Sequence, residues 1–267
     1  MQVFSVTSGK GGVGKTNIIC NLAVELGRRG QRVLLIDCDL GLANVDIVMG
    51  FKPKANLYQL LQGEATLEEV LIEGAPNVTV LPATSGIREM TRITDEQFLS
   101  LMTSLNSLER DFDVVLLDTG AGIGDNVLYF NTAAQEILVV STPEPTSITD
   151  AYAIMKVLSQ SYQVKRFNLL VNRARSRKDA VKVYRYLTTV ADQYLDVAID
   201  FFGHVVADDA VSKAVMERKT FLDAFGDSPA AGCIRDLAEE VMRRREARPP
   251  SGNMQLFWRR MFQQGAD

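Results

Sequence analysis

Residues 8–16 read Ser8-Gly9-Lys10-Gly11-Gly12-Val13-Gly14-Lys15-Thr16. From Gly9 to Thr16 they fit G-x-x-x-x-G-K-[ST]. At average residue frequencies a chance match in a chain of this length arises in about one case in a hundred. The flanks agree with the motif. The apolar run Val3–Val6 reads as a strand. Thr16–Arg29 reads as a helix, with Ile18, Ile19, Leu22, Ala23 and Leu26 on one stripe and Gly30 as a stop. Glycines let successive backbone N–H groups turn inward around a polyphosphate. The helix N-terminus adds its positive dipole end. Lys15 is placed to reach the β- and γ-phosphates, and the Thr16 hydroxyl to ligate Mg²⁺. Gly9, Lys10, Gly11, Gly12, Val13, Gly14, Lys15, Thr16 and Asn17 are therefore the expected nucleotide cradle. A Gly-rich turn that binds nothing is the alternative, and the strand–loop–helix context argues against it.

Outward from the loop, apolar runs recur between helical patterns: Val33–Ile36, Val78–Leu81, Val114–Leu117, Ile137–Val140, Phe167–Val171 and Val197–Phe202. Most are continuous rather than alternating, as in strands buried on both faces. Helical patterns lie at Asp95–Arg110, Ser147–Ser159, Lys178–Gln193 and Pro229–Arg248. Strand alternating with helix predicts an α/β fold: one P-loop domain over residues 1–248, with a mainly parallel, doubly wound sheet and helices on both faces. Ligands in such sheets bind beyond the carboxyl ends of the strands. Arg248-Pro249-Pro250-Ser251-Gly252 breaks the composition, so 249–252 reads as a linker to a tail over 253–267.

Composition excludes several chemistries. The chain has 267 residues, a single His (His204) and three Cys (Cys20, Cys38, Cys233). One His leaves no pair for a zinc protease. No C-x-x-C occurs, which disfavours zinc ribbons, redox dithiols and iron–sulfur loops. Cys20 and Cys38 read as core fillers in a reduced, cytoplasmic setting. A net charge of −4 argues against nucleic acid as the main partner. No apolar run reaches the roughly 18 residues of a membrane span, and no signal peptide is read at the N-terminus.

Two acidic stretches follow strands. Asp37-Cys38-Asp39 opens a loop that runs to Asp46. Carboxylates at i and i+2 beyond a strand end can face one phosphate site, where one positions Mg²⁺ or the attacking water. Solvated acids capping the next helix are the alternative. Val114–Leu117 ends in Asp118-Thr119-Gly120-Ala121-Gly122, and four apolar residues before an Asp suit a carboxylate that holds Mg²⁺ with Thr16. Asp125 reads as a cap for the helix after it. Asn172 can pair with an adenine edge or serve as a turn residue. The segment Val205–Asp209, with Asp208, is expected to line the far side of the adenine pocket. No Asn-Lys-x-Asp run occurs, which favours ATP over GTP.

The run Lys10-Gly11-Gly12-Val13-Gly14-Lys15-Thr16 resembles the deviant Walker A motif of the MinD/ParA ATPases. That resemblance implies that Lys10 crosses a dimer interface to the partner's nucleotide, making ATP binding and homodimerisation one event. It implies that Asp39 positions the hydrolytic water and that Asn172 contacts the base. Lys10, Lys15 and Asp39 are then the catalytic set, with Thr16, Asp39 and Asp118 around Mg²⁺. Within the class, Asp37–Asp46, Thr119–Asp125 and above all Pro143-Glu144-Pro145-Thr146-Ser147-Ile148-Thr149-Asp150-Ala151-Tyr152 resemble the FlhG/FleN branch. From the residues alone, that last segment is a Pro-rich loop capping a helix at Thr146 or Ser147.

The branch implies a switch-type ATPase that limits flagellar number. It restrains a transcription activator of the FleQ/FlrA type and partners an FlhF-type GTPase, at the cell pole. Many members carry an N-terminal extension with an Asp-Gln-Ala motif that stimulates that GTPase. Here the first strand begins at Gln2, so no such stimulation is expected. In the tail, Met254, Phe257, Trp258, Met261 and Phe262 fall on one helical face beside Arg259 and Arg260. That character suits weak attachment to an anionic inner-membrane surface when ATP is bound, or docking back on the domain. Two other readings stand: a MinD-like division-site regulator, and a ParA-type DNA-partition ATPase. The second needs a basic face such as Arg173, Arg175, Arg177, Lys178 and Lys182, and charge runs are usually solvated helix faces.

Overall fold

The computed structural model describes residues 1–39, 41–83 and 112–247. The expected helix at Asp95–Arg110, the linker and the tail with its five apolar residues lie outside them. The described strands are β1 (Gln2–Ser8), β2 (Val33–Cys38), β3 (Ile72–Ala75), β4 (Val78–Leu81), β5 (Val114–Ala121), β6 (Glu136–Ser141), β7 (Arg166–Ala174) and β8 (Ala198–Val206). They form one sheet in the order β3-β4-β2-β5-β1-β6-β7-β8. All pairs are parallel except β3 with β4. The four-residue edge strand β3 has no apolar run of its own, which is why the sequence did not disclose it.

The continuous apolar strands still alternate, because each face has its own helix layer. Phe4, Val6, Leu35, Leu116 and Leu138 face α1 (Lys15–Arg28) and the C-terminal helix at 229–247. Val3, Leu34, Ile36, Val115 and Leu117 face the opposite layer. α2 (Val45–Met49) packs Val45 and Val48 with α1 in the first layer, and the opposite layer holds α3 (Leu57–Leu61), α4 (Leu67–Val70) and α5 (Asp125–Ala133). On the same side, Ile137, Val139, Phe167 and Leu169 pack under α6 (Pro145–Tyr162) and α7 (Arg177–Tyr194). The chain closes with α8 (Asp209–Met216), α9 (Phe221–Ala224) and α10 (Pro229–Ala247). Cys20, Cys38 and Cys233 are free and buried.

Two local expectations need correction. Asp125 does not cap α5: Gly124 is the N-cap, and Asp125 is the first helical residue with no capping bond. Its charge in the first turn suits the positive end of the helix dipole, and the residue lines the cavity described below. Likewise α6 starts at Pro145 behind Glu144, so Thr146 and Ser147 lie inside its first turn. Proline favours the first helical position because its fixed φ suits the helix and its missing N–H leaves nothing unsatisfied. Ser147 instead accepts the Thr142 N–H at 3.0 Å, tying the helix to the end of β6.

α6 also presses on the phosphate loop. A Cβ on Gly9 would lie 2.0 Å from the Asp150 carbonyl oxygen, so only glycine fits. Gly9→Ala is expected to cost about 1–3 kcal/mol through forced separation of loop and helix, measured by urea unfolding.

Candidate nucleotide site

The carboxyl ends of β1, β2 and β5 converge on a cavity of about 710 Å³. Its walls include Gly11, Gly12, Gly14, Lys15, Thr16 and Asn17 from the loop and α1, with Asp39 from beyond β2 and Gly120 from β5. Gly14 holds φ +95°, a left-handed conformation that opens the loop into α1.

Lys15 is buried, and its ammonium donates to Ser8 Oγ at 2.8 Å. Ser8 Oγ in turn donates to the Lys10 carbonyl at 2.7 Å, so one hydroxyl spans both ends of the loop. Burial lowers the Lys15 pKa, while the nearby Asp118 and Asp39 carboxylates oppose that shift.

Asp118 is buried next to Thr16 and does not itself line the cavity. Desolvation pushes its carboxyl up to about 7, against the Thr16 hydrogen bond and the Lys15 charge, with Asp39 adding to the rise. Its Oδ1 has no hydrogen-bond partner. An orphaned buried carboxylate oxygen beside a Thr hydroxyl on a phosphate loop is a donor set suited to Mg²⁺. The raised pKa also fixes a sign. The folded state binds the proton more tightly than the unfolded chain, so the ligand-free protein loses stability as pH rises from about 4 to about 7. Asp118→Asn is therefore expected to raise the ligand-free melting temperature at pH 8 and to abolish Mg²⁺-dependent nucleotide hydrolysis. Differential scanning fluorimetry and phosphate release measure the two.

Asp37, not assigned a separate role above, organises the first acidic loop. It pairs with Asp118 across the β2–β5 register. It is fully buried and accepts backbone N–H groups from Asp39 at 3.0 Å, Asn44 at 3.3 Å and Val45 at 3.4 Å. Desolvation and the Asp118 charge raise its pKa well above the usual carboxylate range. Asp39 itself lines the cavity and accepts the Leu42 N–H at 3.2 Å.

Lys10 is half-exposed and donates to Glu144 Oε2 at 3.1 Å and Thr146 Oγ1 at 3.2 Å. Both partners come from the Pro-rich segment whose chemistry was not evident from sequence. Asn172 sits against the loop: its Nδ2 donates to the Val13 carbonyl at 2.7 Å and its Oδ1 accepts the Arg173 N–H at 2.8 Å. Asn172 is buried and is not among the residues that line the cavity. Asp208 caps α8 through the Ala210 N–H at 2.9 Å and also accepts the Ala230 N–H at 3.0 Å. Its carboxylate thus joins two helix starts; Val215 of α8, not Asp208, lines the cavity. Leu42, Ile47, Asn126 and Arg173 line it too and were not in the expected set.

An AAA-domain family model matches residues 1–171. The antiactivator FleN of Pseudomonas aeruginosa is 41% identical over 266 residues, covering 100% of this chain and 95% of FleN. The chain belongs to the MinD/ParA family of ATPases. The flagellum site-determining protein YlxH of Helicobacter pylori is 34% identical over 82% of this chain and 74% of its own length. The septum site-determining protein MinD of Pyrococcus horikoshii, solved with Mg-ADP, superposes with a TM-score of 0.68 at 27% identity, covering 90% of this chain and 95% of MinD. Among the described residues of this MinD/ParA ATPase, no helix is long and apolar enough to cross a membrane.

Proposed function

We propose that this chain is a Mg-ATP-dependent switch that dimerises on ATP and limits flagellar number by restraining a transcription activator of the FleQ/FlrA type. The observation that carries the reading is the convergence on one cavity of Lys15, Thr16 and Asp39, with the unpartnered oxygen of Asp118 buried next to Thr16 and Lys15. Bound Mg²⁺ would neutralise charge on the β- and γ-phosphates, held by Thr16 and Asp118. The loop N–H groups and Lys15 bind the phosphates. Asp39, fixed by a loop that Asp37 ties down, orients water at the open side of the cavity.

Dimerisation is supported by the cavity rim. Leu42 and Ile47 are exposed, as is Met216 beside Val215. Exposed apolar groups clustered at one mouth suit a covered interface. Lys10 is free to leave Glu144 at little cost, since exposed ion pairs contribute about 0–1 kcal/mol.

The flagellar assignment rests on relatives named antiactivator and flagellum site-determining protein. Partnering of an FlhF-type GTPase, slow hydrolysis, a polar site and weak inner-membrane contact through the tail complete the proposal. Direct DNA binding is not part of it. The test is a pull-down of the activator and, separately, of a division inhibitor. Wild type, Asp39→Ala and Lys10→Ala are each compared with ATP and ADP. Retention of the activator by wild type and Asp39→Ala with ATP, and its loss in Lys10→Ala, is the expected result. Capture of the division inhibitor alone would favour a MinD-like role.

A further inference from the structure

Among the described residues, four that are not glycine have positive φ: Asn77, Gln163, Arg173 and Arg218. Gln163 and Arg218 follow helix ends, and Asn77 turns between β3 and β4. Arg173 alone lies within a strand, with φ +54°. The left-handed conformation costs an L-residue free energy and persists where its surroundings enforce it, often at functional sites.

The cause here is a bulge. β7 pairs Val171 with His204 and Ala174 with Val206. β7 therefore advances three residues while β8 advances two, and one residue of β7 is extra. Strict alternation would put Arg173 on the face of Val171, in the apolar layer under α6 and α7. Instead Val171 and Ala174 occupy that layer. The bulge turns Arg173 out of the core, and Arg173 is exposed and lines the nucleotide cavity. It makes no ion pair among the described residues, although Lys165 and Arg166 at the other end of β7 are both paired.

The position along the cavity identifies what Arg173 faces. Asp39, just beyond β2, and Asp118, within β5, mark the terminal-phosphate end in that reading. In the order β2-β5-β1-β6-β7-β8, a nucleoside held by the loop after β1 extends the other way. On that side Arg173, near the carboxyl end of β7, lines the cavity. A guanidinium is planar and cationic, and it stacks on π-faces. Having donors and no acceptors, it covers a ring rather than reading its edge.

We propose that Arg173 is a base-binding residue whose guanidinium covers the purine ring of the bound nucleotide, held there by the β7 bulge. The proposal rests on the nucleotide-binding reading above. It assigns the base side of the site a stacking contact in addition to any edge contact by Asn172.

The test is isothermal titration in Mg²⁺ buffer with two ligands, ATP and tripolyphosphate, on wild type, Arg173→Ala, Arg173→Lys and Arg173→Gly. Arg173→Ala is expected to weaken ATP binding about tenfold and to leave tripolyphosphate binding unchanged. Arg173→Lys keeps the charge without the plane, so it restores little. Arg173→Gly relieves the backbone and is expected to melt no lower than wild type while losing ATP affinity like Arg173→Ala. Equal losses for both ligands, or rescue by lysine, would make the residue a phosphate contact and overturn the proposal. So would a lower melting temperature in Arg173→Gly, which would make the residue structural. Unchanged ATP affinity in Arg173→Ala overturns this inference alone. A wild type that binds neither ligand overturns the nucleotide-binding reading with it.

Discussion

Lys15→Ala is expected to lower ATP hydrolysis by about 10²–10³-fold, the scale seen when one pre-placed donor to a developing charge is removed. Lys15 is buried at the start of α1, and its ammonium is fixed at 2.8 Å from Ser8 Oγ. The side chain is thus aimed before nucleotide arrives. Its charge also faces Asp118 and Asp39. Without it, two carboxylates would confront a triphosphate with no opposing side-chain cation in the floor of the site. Phosphate release at saturating ATP measures the effect. A variant turning over within twofold of wild type would show that this loop does not run the chemistry.

Asp39→Ala is expected to act differently. Hydrolysis falls by about a hundredfold, as for loss of a positioned proton acceptor, while ATP affinity is retained. The reason is the division of labour between neighbouring carboxylates. Asp37 carries the structural load, accepting three backbone N–H groups from within its side of the sheet. Asp39 makes a single bond to the Leu42 N–H and faces the cavity. Removing Asp39 therefore spares the loop, whereas removing Asp37 would leave three donors without an acceptor. The ATP-bound state then accumulates because its exit is blocked. A variant that loses ATP binding along with hydrolysis would place Asp39 among the binding groups instead.

The loop, the strand order's parallel character and both layers were legible because each rests on a local pattern: glycine spacing, continuous apolar runs, a 3.6-residue stripe. Two short helices were also written in the sequence. Asn56-x-x-Gln59 and Thr66-x-x-Glu69 form capping boxes at α3 and α4. The helices were overlooked because four or five residues make no stripe. The roles of Asp125 and Ser147 were not legible, since a one-residue change in where a helix starts turns a cap into a first-turn residue. Asp208 looked like a pocket residue because it follows the last strand, yet its two oxygens serve two helix starts that only the tertiary fold brings together. Arg173 stood in a charge run and was read as solvated surface. A bulge is a mismatch between two strands, so neither strand alone announces it.

Nucleotide chemistry and self-association are expected to be one event at this cavity. Sedimentation equilibrium of Asp39→Ala, with Mg-ATP and with Mg-ADP, tests it most directly, with the Lys10→Ala/Asp39→Ala double variant as control. The account predicts a doubled mass with Mg-ATP, the monomer mass of 29.5 kDa with Mg-ADP, and monomer in both nucleotides for the double variant. A monomer in all conditions, or a dimer indifferent to nucleotide and to Lys10, would contradict it.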